Sequence, residues 1–269
     1  VTLLRRRRNP EGRMSLADHL RELRRRVVWS VLGLLAGAVV GWFVYTRLLD
    51  VLTAPIVHIQ KARGDRSIGL NFSGLTQAFS VQLKVAIFVG IILSCPVWLY
   101  QIWAFIVPGL TKRERRTSMA FIAAAVPLFV AGCLLALWTM PRVVEVLYGF
   151  TPSGSFNFTN ASDYLTFVTR FILAFGLAFL LPVLLVALNV AHVLPARVMI
   201  KGWRIAVMLI FVFAALMTPT PDAWTMLVLA LPMVGLFYLA VGVSALLDRK
   251  RSKNDPDWRD VPDDEASPL

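Results

Sequence analysis

Six uncharged apolar runs dominate this chain: Val27 to Tyr45, Val85 to Val107, Met119 to Met140, Phe171 to Ala191, Ile205 to Met217 and Ala223 to Leu247. A helix rises about 1.5 Å per residue, so crossing a hydrocarbon layer of about 30 Å takes roughly 20 residues. Five runs meet that requirement, whereas Ile205 to Met217 would reach only about 20 Å. The pattern predicts an all-α integral membrane protein with six transmembrane helices. The spans fall near 27–45, 85–107, 119–140, 165–193, 205–217 and 223–247.

Basic residues between the runs alternate in density. The N-terminal arm, the second and fourth loops and the C-terminal tail hold nine, four, three and five Lys and Arg, against five, one and none in the other loops. Lysine and arginine accumulate on the cytoplasmic side of spans, which predicts that both termini are cytoplasmic. Omitting the short fifth run would put the Arg249-Lys250-Arg251 cluster outside, so six spans fit better than five.

Of the 269 residues, 57% are hydrophobic and 16% charged, which leaves no room for a separate soluble catalytic domain. The net charge of +12 lies beside the span ends, where it faces anionic lipid headgroups rather than nucleic acid. Cys95 and Cys133 lie inside apolar runs, and His19, His58 and His192 share no ligand spacing. Neither a disulfide framework nor a metal site is expected, and no cofactor is implied. The charged arm before the first run, with no small-residue cleavage site, argues against a cleavable signal. Val1 or Met14 is read as the start.

Residues 1–13 read as a disordered basic arm, 14–247 as the membrane domain and 248–269 as a disordered cytoplasmic tail. Trp29, Trp42, Trp103, Trp138, Trp203 and Trp224 sit near run ends, as an interfacial belt would. Gly33, Gly37 and Gly41 recur every four residues and form one smooth face for close helix packing. Pro96, Pro127, Pro182 and Pro232 fall inside runs, where a missing N–H and a ring clash bend a helix, and four kinked spans can enclose a concave cup. Residues 46–84 and 141–163 are long enough to carry short helices and read as an external cap. Thr218-Pro219-Thr220-Pro221-Asp222 reads as a rigid minimal turn. Arg170, near the outer end of the fourth run, is expected to snorkel to headgroups.

Carboxylates are scarce on the basic side: Asp18, Glu22 and Glu114, each among arginines. Helical spacing sets Leu16, Leu20 and Leu23 on one face, and Asp18 and Glu22 one turn apart, as in an amphipathic helix feeding the first span. Two readings stay open from the residues alone. The glutamates could simply pair with neighbouring arginines, each exposed pair worth about 0 to 1 kcal/mol. Alternatively they form an acidic site for a cationic guest, which a bidentate arginine contact would select.

Several stretches resemble one family. They are His19-Leu20-Arg21-Glu22-Leu23-Arg24, then Leu93-Ser94-Cys95-Pro96-Val97-Trp98-Leu99-Tyr100-Gln101-Ile102-Trp103-Ala104-Phe105-Ile106-Val107-Pro108-Gly109-Leu110 running into Lys112-Arg113-Glu114-Arg115-Arg116. Tyr164-Leu165-Thr166-Phe167-Val168, Phe175-Gly176, Phe179, Pro182-Val183 and Thr218-Pro219 with Asp222 continue the match. From about residue 14 to 247 the chain is similar to TatC, the core of the twin-arginine protein translocase. The resemblance implies a non-enzymatic receptor in a bacterial or archaeal cytoplasmic membrane. It would bind twin-arginine signal peptides of folded precursors on the cytoplasmic face. It also implies export driven by the proton-motive force, single-span TatA/TatB-type partners, and a homo-oligomer within the complex. Carried over by position, Glu22 and Glu114 would read the arginines, with Leu20, Arg24, Phe105, Pro108 and Leu110 shaping the site. Met217, Thr218 and Asp222 would dock partner subunits. Leu180 stands where many relatives carry a polar or acidic residue, so a buried carboxylate role does not transfer here.

The rival class is a small-molecule secondary transporter, since kinked helices can line a substrate path. The two three-span halves show no similarity to each other, and no paired ionisable residues fall at mid-run. Nucleotide-binding, zinc-protease and hydrolase motifs are missing from the sequence.

Overall fold

The computed structural model describes residues 16–63, 68–106, 112–150, 157–190, 193–217 and 223–252. Side chains of 112–118 lie outside the described residues. The chain is almost entirely helical: α1 (Leu16–Arg63), α2 (Gln77–Leu93), α3 (Cys95–Ile106), α4 (Lys112–Gly149), α5 (Ala161–Val190), α6 (Ala196–Lys201), α7 (Trp203–Met217) and α8 (Ala223–Ser252). Two short strands, β1 (Ile68–Asn71) and β2 (Asn157–Asn160), pair in parallel, with Asn71 opposite Asn160.

Four helices are long and apolar enough to cross a membrane, and the α2–α3 pair makes a fifth if counted as one bent span. With its 15 residues, α7 extends about 22 Å and falls short of the bilayer when taken alone.

The chain divides into two compact units, one of residues 1–130 and 154–169, the other of 131–153 and 170–269. In the first, α1 and α2 cross closely because glycines stand at their contact. A methyl group added at Gly37 would lie 3.0 Å from the Cα and O of Gly90, and one at Gly41 would lie 2.8 Å from Ala86 O. Of the glycine face read from the sequence, Gly37 and Gly41 thus lie in the α1–α2 seam, where removing Cβ atoms lets backbones approach, while Gly33 faces Val97 of α3.

Over the expected second span, 85–107, the helix is interrupted. The chain breaks at Ser94, and α2 and α3 diverge by 58°. Pro96 supplies the cause, since its ring excludes the carbonyl four residues back and it offers no N–H. The carbonyls released by the break still need donors. Trp98 Nε1 donates to Ile91 O at 3.0 Å, and Ser94 O accepts from the N–H of Val97 and Trp98 at 2.9 and 3.1 Å. By contrast α4, α5 and α8 run on as single helices through Pro127, Pro182 and Pro232.

Two expected loops are shorter than the apolar runs suggested, because the helices outlast them. Helix α1 continues through Pro55 to Arg63, and α4 continues to Gly149. What remains is tied together by polar contacts. Asn160 Oδ1 accepts from the N–H of Ser162 at 2.9 Å, which caps the start of α5, and also from Gln77 Nε2. Asn160 Nδ2 donates to Ser73 Oγ at 3.1 Å. Nearby, the buried Tyr164 hydroxyl donates to Leu52 O at 2.8 Å, and Lys84 Nζ donates to Ser162 Oγ and Thr166 Oγ1 at 2.7 and 3.0 Å.

In the second unit, a methyl at Gly132 would sit 2.6 Å from Phe175 O, so α4 and α5 also meet backbone to backbone. Buried positions on α5, among them Phe171, Ile172, Phe175, Ala178 and Phe179, recur at three and four residues, as one helical face requires. Arg170 is exposed on α5. The short fifth run gains length from α6. Gly202 N donates to Val198 O at 2.9 Å and Ala206 N to Gly202 O at 3.0 Å, so helical bonding carries across the step between α6 and α7. The tail boundary read at Asp248 lies inside α8, which runs to Ser252.

Among the tryptophans, Trp29, Trp42, Trp138, Trp203 and Trp224 are exposed, as interfacial rings are. Trp103 departs from that reading: it is buried and stacks on Phe121 with ring centroids 4.2 Å apart.

Candidate functional site

The residues singled out from the sequence lie on three segments, the start of α1, the end of α3 with the chain beyond it, and the start of α4. Within the first unit, His19 of α1 packs on Phe105 of α3 with ring centroids 4.7 Å apart. Glu22 comes three residues after His19, which sets both on neighbouring positions of one helix face. This contact brings Glu22 and Phe105 to one locality, although they are far apart in sequence. The Trp103–Phe121 stack ties the same end of α3 to α4, the helix on which Glu114 lies.

Glu22 is engaged by an arginine of its own helix. Arg26 Nε donates to Glu22 Oε1 at 3.1 Å, and Arg26 Nη2 contacts the same oxygen. Both side chains are largely shielded, with 19% of Glu22 and 14% of Arg26 exposed. Spacing of four residues with the acid nearer the N-terminus is the favourable order for such a pair. Both guanidinium contacts converge on one carboxylate oxygen, so the pair is not the two-oxygen fork that a carboxylate can offer arginine. Asp18 makes a looser, exposed pair with Arg21 at 3.7 Å. Such a surface pair contributes little.

Leu20 projects outward with 61% of its surface exposed, and Arg24 is exposed beside it. Phe105 is half-buried. Pro108 and Leu110 lie outside the described residues, as does the side chain of Glu114. The described part of the site is therefore an apolar and aromatic shelf from Leu20, His19 and Phe105, beside a carboxylate that already holds one guanidinium.

For the second set, Met217 closes α7 and is partly exposed, while Thr218 and Asp222 lie outside the described residues. Along α7, Ile205, Met208, Leu209, Val212 and Leu216 are exposed, which leaves an apolar stripe without cover.

The sequence marks His19 only as lacking metal-ligand spacing, whereas the structure makes it the link between α1 and α3. The fixed spacing of Glu22 and Arg26 was a usable signal for their pairing, but nothing in the sequence connects His19 with Phe105. Among the described residues no cluster of three or more His, Cys, Asp or Glu could hold a metal ion. Cys95 and Cys133 are both buried and form no disulfide among the described residues.

These features define a multi-pass, all-helical membrane protein with a polar and aromatic shelf at one end of its first unit. Comparison with known proteins is decisive about the family. A family model described as Sec-independent protein translocase protein (TatC) matches residues 18–232. A TatC from Xylanimonas cellulosilytica is 48% identical over 241 residues, covering 90% of this chain and 87% of that one. TatC from Rothia mucilaginosa is 34% identical over 246 residues, covering 91% and 84%. Two crystal structures of the twin arginine translocase receptor TatC superpose on the fold with TM-scores of 0.68 and 0.67 at 27% and 28% identity. They cover 84% and 86% of this chain and 99% and 100% of theirs. The chain belongs to the TatC family and is a component of a Sec-independent protein translocase, not an enzyme.

Proposed function

We propose that this chain is the signal-peptide receptor and core subunit of a twin-arginine translocase. The paired arginines of a folded precursor's signal peptide are read by Glu22 and Glu114, and Leu20, Arg24, Phe105, Pro108 and Leu110 shape the surrounding surface. One observation carries the reading: the start of α1 and the end of α3 meet through His19 and Phe105, beside a carboxylate that already binds guanidinium. Arg26 stands in for a guest arginine. An incoming guanidinium either takes the second oxygen of Glu22 or displaces Arg26, exchanging one charge-assisted contact for another.

The proposal includes the orientation. Residues 14–247 form a membrane domain of six spans in the cytoplasmic membrane of a bacterium or archaeon, with the basic arm and tail both cytoplasmic. The prolines shape a concave cup, capped externally by the segments joined at β1 and β2. Lipids cover the apolar helix faces. Single-span TatA/TatB-type subunits dock at Met217, Thr218 and Asp222 along the exposed stripe of α7, copies of the chain assemble in the complex, and the proton-motive force drives export. A small-molecule transporter is not favoured by the relatives found.

The test is crosslinking of a twin-arginine signal peptide to the full chain in membranes. Glu22→Gln and Glu114→Gln should each reduce the crosslink while the protein still inserts, and a twin-lysine peptide should bind weakly even to the unaltered chain. Unchanged crosslinking in the doubly substituted protein would overturn the assignment.

A further inference from the structure

A polar clasp in the second unit has no place in the function so far. Asp248, near the end of α8, accepts hydrogen bonds from Asn189 Nδ2 at 3.1 Å to Oδ1 and 3.2 Å to Oδ2, and from the N–H of Ala196 at 2.9 Å to Oδ2. Asn189 Nδ2 also donates to Leu194 O at 3.1 Å. Asn189 is only 1% exposed, at the end of α5, and Ala196 opens α6. One carboxylate thus ties three elements that are distant in sequence: the end of α5, the start of α6 and the end of α8. Hydrogen bonds to a carboxylate are roughly twice as strong as those between neutral groups, and Asp248 is half-buried.

The clasp matters because it adjoins a short span. Helix α7 covers only about 22 Å of a layer of about 30 Å. Although helical bonding extends α7 backwards into α6, α6 carries Arg197 and Lys201, so the apolar length stays short and holds its depth weakly, at fractions of a kcal/mol per Å of mismatch. Something other than hydrophobic matching must set its position. Ala196 is the first residue of the helical segment that passes through Gly202 into α7, and the only charged group bonded to that first N–H is Asp248 among the described residues.

We infer that Asp248 is a positioning residue: with Asn189 it sets the depth of α6 and α7 relative to α8, and so the register at which α7 meets a single-span partner helix. The partner half of this inference rests on the docking surface proposed above. The clasp itself does not.

Two readouts separate them, both in the full chain with Cys95 and Cys133 replaced by alanine. Depth is read by maleimide labelling of single cysteines at Val198, Lys201 and Ile205 in intact membranes. Register is read by disulfide crosslinking of cysteines at Leu209, Val212 and Leu216 to a cysteine series along the partner helix. Asp248→Ala should move the labelling boundary and shift or spread the strongest crosslink by roughly one helical turn, three to four residues. Binding of the twin-arginine peptide should not change. The exchange Asn189→Asp with Asp248→Asn restores the carboxamide–carboxylate pair with roles reversed and should return both readouts toward the original pattern. Where Asp248→Ala fails to accumulate, Asp248→Asn keeps the shape and replaces it. A labelling boundary and crosslink register unmoved by loss of the carboxylate would overturn the inference. If the unaltered chain gave no partner crosslink along α7, the docking reading would fail, and the labelling boundary alone would then decide the clasp.

Discussion

Arg26 donates from Nε to Glu22 Oε1 at 3.1 Å across one turn of α1, so the carboxylate proposed to read a signal peptide already has a guanidinium partner on its own helix. A shielded glutamate without a partner would be costly to keep ionised. Arg26 supplies such a partner for Glu22. Glu22→Gln should therefore weaken twin-arginine peptide binding by roughly tenfold or more, the range for a hydrogen bond to a charged group. Arg26→Gln should not weaken it, because the guest then meets no competitor. Titration of a labelled signal peptide against the purified chain checks both.

Gly90 lies where a side chain cannot be placed, since an added Cβ would be 2.7 Å from Leu34 O. Gly90→Val is expected to push α1 from α2 and destabilise the protein by about 1 to 3 kcal/mol or more, as overpacking does. Gly235→Val, with open space around the Cβ, serves as the control and should cost far less. Thermal unfolding in detergent, monitored by intrinsic fluorescence, distinguishes them.

Trp98 does two things at the break between α2 and α3. Its N–H serves Ile91 O, and its ring meets Phe129 edge-on at 5.5 Å. Trp98→Phe keeps an aromatic ring and removes the donor, so the expected loss is about 1 kcal/mol, the net worth of one hydrogen bond. Trp98→Ala should cost several times that, because the ring goes as well. Denaturation midpoints of the two variants in the same detergent give the comparison.

Asn160 caps α5 through the N–H of Ser162 and holds the start of α2 through Gln77 and Ser73. Asn160→Ala should cost about 1 kcal/mol for the lost cap, with a further loss from unpaired Gln77. Limited proteolysis should show faster cleavage around β1 and β2 than in the unaltered chain, with the apolar helices still protected.

Much of this architecture can be read without coordinates because membrane helices obey a one-dimensional rule: enough consecutive apolar residues must cover the bilayer. The helical class and the positions of the apolar helices come from it, and the glycine face of α1 comes from the four-residue spacing of Gly33, Gly37 and Gly41. The family is legible from the motif around Pro96 to Leu110, and the candidate glutamates from acids standing among arginines. Apolar length says less about where helices end, since α1 and α4 run past their uncharged runs, and charged residues are compatible with helix once outside the hydrocarbon.

Tertiary structure settled the rest, because it concerns which of several available partners a group meets. Pro96 breaks a helix while Pro127, Pro182 and Pro232 do not, and each has the same missing N–H. At Pro96 the chain also carries Trp98, whose Nε1 donates to Ile91 O beside the break. The Glu22–Arg26 pair, by contrast, is local, four residues apart on α1. The contacts of His19 with Phe105 and of Asn189 with Asp248 join positions 86 and 59 residues apart. No local period links such pairs, so only the folding of the helices against one another could bring them together.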